Sequence, residues 1–395
     1  MGVGTITRAI KRNYTFLILF AVAIALRIIT LDAKGLWLDE AYSVHLARQG
    51  LSGLMSQLSL ESTPPLYYLC LHFWINIFGS SEGALRALSL VFSLGTMTVL
   101  YSLGRKFFSR SVAVVVAALA AFSPLQIYYA QETRMYSLLA LLAAGLLYFT
   151  IGAAVGSSGQ TAVAPAALRR RIIGMGLVGL LMLYTHTVAL WFVAACFIVA
   201  LYYAREQKTR TPVLLSLAGM ILAYLPWLFV LIKQVARQET VLQWFVPLWK
   251  GKPIWGHVFD SLSSYLFGPF PPYLAIQSAG GFLPILFILF AAILGWGLIS
   301  HRKSAPMRAC SLIAVLAFGF PLVYSRLFQP IYIPGRTDQY LQPVFLLLVG
   351  VGILSIAGRR IIQTCVILLY GALSVWVLVP YYGNTDKNAS RSYMA

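Results

Sequence analysis

Apolar stretches long enough to cross a bilayer dominate this chain and leave little else to fold. A spanning helix needs about 20 mostly apolar residues. Eleven windows approach that: 13–31, 84–103, 111–129, 134–154, 171–184, 187–204, 211–232, 281–300, 309–326, 341–358 and 361–380. The predicted fold class is therefore an all-α polytopic membrane protein of about eleven transmembrane helices. In the pair at 171–204 the short first half runs into Thr185-His186 without a clear turn. Of 395 residues, 59% are hydrophobic and 10% charged, against about 25% charged in a soluble domain. An ordinary soluble enzyme and a nucleic-acid binder are excluded, despite a net charge of +19.

The distribution of charge explains the basic excess. Arg8/Lys11/Arg12, Arg105/Lys106/Arg110, Arg169/Arg170/Arg171, Arg205/Lys208/Arg210, Arg302/Lys303/Arg308 and Arg359/Arg360 fall on one side of the alternating spans and hold 17 of the 30 basic residues. By the positive-inside rule that side is cytoplasmic. Of the 11 acids only Glu206 joins them. The others gather opposite, which suggests a site facing outward, although longer outer loops would also collect polar residues. The expectation is an integral protein of the inner or plasma membrane, N-terminus inside and C-terminus outside. The basic start and first apolar run mimic a signal peptide, but no small-residue cleavage site follows, so it reads as a retained span. Cys70, Cys196, Cys310 and Cys365 lie in apolar segments without metal-ligand spacing and read as packing residues.

Two outer loops are long. In the first, 32–83, Thr63-Pro64-Pro65 starts a helix over Leu66 to Phe78. It is too short to span and is expected to lie along the interface, with Tyr67, Tyr68 and Trp74 in the headgroup zone. A second short helix is expected from Asp39 to Arg48. The other loop, 233–280, is rich in Trp and Pro and reads as a lid over the outer face, and 152–168 reads as a cytoplasmic linker. No internal repeat is visible. Asn388-Ala389-Ser390 matches a glycosylation sequon that carries no weight.

Five groups of residues bear on chemistry. Asp39 and Glu40 are adjacent carboxylates just beyond the first span; such neighbours repel and raise one pKa, suiting a general base, yet they equally suit a helix start. Glu132 and Arg134 stand in an outer turn ahead of Tyr136. Arg134 offers a planar fork for phosphate oxygens, or a local salt bridge with Glu132. His186 reads either as a packing residue or, near Glu61 or Asp39, as a ligand. Arg336 is a second anion ligand or caps its loop through Asp338. Arg86 reads as structural, snorkelling or pairing with Glu82.

Together these segments resemble a known family. Trp37-Leu38-Asp39-Glu40-Ala41-Tyr42-Ser43 is similar to the Asp-Glu motif in the first outer loop of C-type membrane glycosyltransferases. More narrowly it resembles the family-39 group of protein O-mannosyltransferases and aminoarabinose transferases. Pro64-Pro65-Leu66-Tyr67-Tyr68, Gly83 to Ser89, Gln131 to Tyr136 and Tyr184-Thr185-His186 resemble further segments of that group, in the same order. The likeness covers 14–150 and thins towards 204. Members often carry His where this chain has Thr63. The metal-binding version has Glu directly before the Pro pair, whereas Glu61 stands three residues ahead of Pro64. The resemblance fixes no cofactor; a divalent metal is left open, with Glu61 and His186 as its candidate ligands.

A single transmembrane domain over 1–395 is expected; as a further departure from the group, no soluble C-terminal domain is expected after the last span. The resemblance implies an inverting transferase that moves a sugar, a hexose such as mannose, from a polyprenyl-phosphate carrier to a hydroxyl of a protein, lipid or glycan of the cell envelope. Asp39, with Glu40, would be catalytic. Arg134 and Arg336 would hold the phosphate, and Glu132, Tyr136, His186 and Tyr67 would complete the substrate site. The alternative is a transporter or flippase of lipid-linked sugars. Transporters place ionisable groups near the midplane and show repeated halves, and neither is seen here.

Overall fold

The computed structural model describes residues 3–60, 63–157, 164–204, 207–235, 246, 249, 251–268, 282–356 and 360–383. Glu61, the sequon at Asn388 and parts of both 152–168 and 233–280 lie outside the described residues. Regular structure among those described is helical. The first loop and its flanks form α1 (Val3–Ile28), α2 (Leu38–Ala47), α3 (Leu51–Leu60), α4 (Leu66–Phe78) and α5 (Glu82–Phe107). There follow α6 (Arg110–Phe122), α7 (Pro124–Ala130), α8 (Tyr136–Ser157), α9 (Pro165–Leu183), α10 (Ala189–Tyr203) and α11 (Gln207–Val235). The remainder holds α12 (Ile254–Phe267), α13 (Phe282–Ser300), α14 (Ala305–Leu327), α15 (Gln342–Leu354) and α16 (Arg360–Gly383).

The expected eleven spans do not form. Among the described residues five helices are long and apolar enough to cross a membrane: Glu82–Phe107, Tyr136–Ser157, Thr209–Gln234, Ala305–Leu327 and Arg360–Gly383. A sixth results if α6 and α7, bent by 57°, count as one broken span. The other expected spans emerge as the shorter apolar helices Asn13–Ile28, Ala189–Tyr203, Ile285–Ser300 and Gln339–Leu354, and as α9, which begins with Arg169, Arg170 and Arg171 in its first turns. At 1.5 Å per residue, α10 with its 15 residues covers about 22 Å of a hydrocarbon core about 30 Å thick. The apolar windows run through residues that end helices: Ser123 caps α7 with Pro124 in its first turn, and Tyr184 to Val188 separate α9 from α10. The inside–outside alternation built on eleven passes therefore does not follow from this architecture.

Small residues let the helices approach, as membrane bundles require. A Cβ on Gly297 of α13 would stand 2.6 Å from the Cα of Gly352 on α15. The break between α6 and α7 is held by a buried cation. Arg27, 0% exposed at the end of α1, donates from Nη2 to Ala120 O at 3.0 Å and from Nη1 to Ala121 O at 3.1 Å. These are carbonyls that the last turn of α6 leaves without helical donors, and a cation there also meets the negative end of the helix dipole. Its Nε donates to Ser93 Oγ at 2.9 Å, and Gln342 on α15 bonds both Gln126 and Ser123 of the break. The bend thereby fixes α7, and α7 delivers the Gln131–Met135 turn to one end of the bundle. At the opposite end lie Arg105 and Lys106 of α5 and Arg110 of α6.

The first loop folds over the end that carries this turn. His72 Nδ1 on α4 donates to Ala47 O at the end of α2, Trp74 Nε1 donates to Ala84 O on α5, and Leu66 N donates to Tyr184 O after α9. Asp32 Oδ1 accepts from Gly83 N at 2.7 Å, close to the start of α5.

Candidate active site

Three distant segments meet at Asp39. It is the second residue of α2, and its Oδ2 lies 2.6 Å from Arg336 Nη2 and 3.7 Å from Arg134 Nη2. Neither arginine takes the local partner that the sequence offers. Arg134 also reaches Ser43 Oγ at 3.2 Å and Tyr68 OH at 3.4 Å. Arg336 donates from Nε to Tyr136 OH at 2.7 Å, with its guanidinium 5.8 Å from the ring centroids of both Trp37 and Tyr136. Asp338, the expected partner of Arg336, faces Tyr265 and Tyr332 instead. Oδ1 of Asp39 accepts no hydrogen bond among the described residues, and the Asp39 side chain is 27% exposed.

Glu40, adjacent in the chain, serves a different network. Its carboxylate accepts from Arg86 Nε at 3.0 Å, Arg86 Nη2 at 2.9 Å, Thr133 N at 2.9 Å and Trp37 N at 3.3 Å. Arg86 pairs with Glu40 rather than Glu82, and it donates further to the carbonyls of Leu31, Lys34 and Gly35. This pair is shut off from solvent and its hydrogen bonds are satisfied, the condition under which a buried ion pair holds. It ties the end of α1, the start of α2 and the turn bearing Arg134 into one block. Asp39 and Glu40 thus do not share a site as two carboxylates; consecutive helix positions point about 100° apart.

His186 stands in the turn before α10, its ring centroid 6.1 Å from that of Tyr136. Nδ1 accepts from Val188 N at 3.3 Å, which leaves the proton of the neutral ring on Nε2. Burial, then the nearby charges of Arg134 and Arg336, push its pKa down to about 3. It is therefore a neutral donor at physiological pH. Glu132 is buried in the turn, where its carbonyl accepts from Arg134 N at 2.8 Å. Tyr67 bonds Ser89 Oγ at 3.3 Å, and it is the next residue, Tyr68, whose hydroxyl meets Arg134. Ser43, Tyr68 and Trp37 were not among the expected site residues. Ser43 was within reach of sequence reasoning, since it stands four residues after Asp39 on the same helix face.

Among the described residues no group of three or more His, Cys, Asp or Glu side chains could hold a metal ion. Two guanidinium groups side by side suit an anion, because their N–H groups can also donate to phosphate oxygens.

Comparisons with known proteins add to this geometry. Residues 62–229 match the family model for dolichyl-phosphate-mannose-protein mannosyltransferase. No curated protein sequence matches. Among solved structures, ArnT from Cupriavidus metallidurans in the apo state is similar with a TM-score of 0.61 at 15% identity, over 87% of this chain and 60% of that one. The same protein bound to undecaprenyl phosphate gives 0.59 at 18% identity, over 93% and 70%. The apo oligosaccharyltransferase of Archaeoglobus fulgidus gives 0.53 at 13% identity, over 95% and 56%. This chain therefore spans well under two thirds of the archaeal protein. At such identities the likeness establishes a fold shared with these proteins.

Proposed function

We propose that this chain is an inverting glycosyltransferase that moves a sugar from a polyprenyl-phosphate carrier to an acceptor hydroxyl on the extracytoplasmic face. The observation that carries the reading is the convergence of Arg134 and Arg336 on Asp39, at 3.7 and 2.6 Å. A base and two phosphate ligands are what such a transfer needs in one place. The acceptor hydroxyl would give its proton to Oδ1 of Asp39 as its oxygen attacks the anomeric carbon. The bond from that carbon to the phosphate oxygen breaks on the opposite face, which inverts the configuration. Arg336 and Arg134 would take the departing phosphate and offset its growing charge, a contribution worth about 10²–10³ in rate for each well-placed donor. His186, donating from Nε2, and the hydroxyls of Tyr68 and Tyr136 would orient sugar and phosphate. Glu40 would act through Arg86 and the turn at Thr133, holding Asp39 and Arg134 in register.

The donor is proposed to carry a hexose such as mannose; the partial match to the mannosyltransferase model supports this choice. The lid over 233–280 and a single transferase domain over 1–395 are part of the same proposal. The test is turnover of a panel of polyprenyl-phosphate sugars by the purified protein in liposomes, with candidate acceptors, and the product anomer assigned by NMR. The expected result is release of polyprenyl phosphate with one hexose donor and an inverted product. Retention of configuration contradicts the mechanism. Movement of intact donor across the bilayer without release favours the flippase reading.

A further inference from the structure

The loop that presents Arg336 is held from two sides. Arg336 N and Thr337 N both donate to Ile333 O, and Thr337 Oγ1 accepts from Ile333 N at 2.8 Å. Gly335 O accepts from Tyr129 OH and from Gln339 Nε2, each at 2.7 Å. Gly335 has φ +71°, and a Cβ there would meet Ser264 of α12 at 2.7 Å. A side chain would therefore be strained and would also push α12 away.

The second hold is a buried carboxyl. Asp338 is 0% exposed and forms no ion pair among the described residues. Its Oδ2 accepts from Tyr265 OH and Tyr332 OH, both at 2.7 Å, while Oδ1 has no partner. Tyr332 spends its proton on Asp338, so Ser261 Oγ, 2.6 Å away, must donate to Tyr332. Ser261 and Tyr265 stand four residues apart on one buried face of α12. Burial holds the Asp338 carboxyl above the usual range. A carboxyl this deep without a cation is costly to fold around, and an apolar residue would pack there at less cost. Its position two residues after Arg336 supplies a reason for it.

We propose that Asp338, gripped by Tyr265 and Tyr332, is the positioning residue that sets Arg336 against Asp39 and couples α12 to the candidate active site. α12 lies within the 233–280 segment. A shift of that helix would move the Asp338 anchor, and with it the guanidinium that faces the carboxylate.

The experiment reads Arg336 directly, by phenylglyoxal labelling of the full-length protein in detergent with peptide mass spectrometry. Tyr265→Phe with Tyr332→Phe removes both donors and keeps the packing. Arg336 should then label several-fold faster, with Arg86 unchanged, whereas Asp338→Asn, which keeps an acceptor oxygen, should stay near wild type. Unchanged Arg336 labelling in the Tyr pair, or an equal rise at Arg86, overturns the proposal. A second arm rests on the functional reading above and measures binding of polyprenyl phosphate. The Tyr pair should weaken it about tenfold, the scale of one charge-assisted contact, and should weaken Arg336→Gln no further. Additive losses overturn the positioning role. Faster labelling in a protein whose wild type binds no polyprenyl phosphate keeps the latch and contradicts the proposed function.

Discussion

Asp39 divides its oxygens between tasks: Oδ2 faces two arginines while Oδ1 is open, and Glu40, one residue on, is sealed into an ion pair with Arg86. Asp39, Arg134 and Arg336 stand out in the sequence as charged residues away from the basic clusters. Their partners do not. A sequence offers near neighbours, Glu132 for Arg134 and Asp338 for Arg336, while the turns aim these side chains at residues up to 297 positions away. His186 gives a test at this scale. Its folded pKa, about 3, lies below the ordinary 6.5, so between those values the unfolded chain binds more protons. Stability should then fall as pH drops from 6.5 towards 3 and be fully present above that window. His186→Gln, which does not titrate, should show a shallower loss of thermal stability over that range, and an unaltered acid limb contradicts the lowered pKa.

At the scale of elements, the broken helix is the unexpected feature. Ser123-Pro124 marks a helix start in the sequence, yet continuous apolar composition on both sides hides the break. Nor does the sequence show that Arg27, in the middle of an apolar run, closes the end of α6. Arg27→Met should leave the Ala120 and Ala121 carbonyls unmet in a buried setting, at about 1–3 kcal/mol for each. The melting temperature in detergent should drop by several degrees, with carrier binding weakened as α7 and its turn lose their anchor. A variant with unchanged melting would mean that water or lipid already serves those carbonyls. The helix α4 was readable from its Pro pair and α2 from the carboxylates in its first turn, although Pro65 and Trp37, not Thr63 or Asp39, take the N-cap positions; α3, over Leu51–Leu60, had no comparable start signal.

For the whole molecule, hydropathy identified a helical membrane protein but overcounted its spans. Apolar composition reports what is buried, in lipid or in protein, and does not separate the two. α15 illustrates this: it is buried along nearly its whole length and too short to cross. The fold shared with ArnT and the archaeal oligosaccharyltransferase then gives the arrangement a context, and the candidate site at one end of the bundle carries the proposed chemistry. That account stands on Asp39. The most direct test is polyprenyl-phosphate release from a sugar donor by reconstituted wild type and Asp39→Asn, with donor binding measured on both. The account predicts binding retained and turnover reduced by about 10²–10⁴, the range for losing a general base. Equal turnover in the two proteins would contradict it.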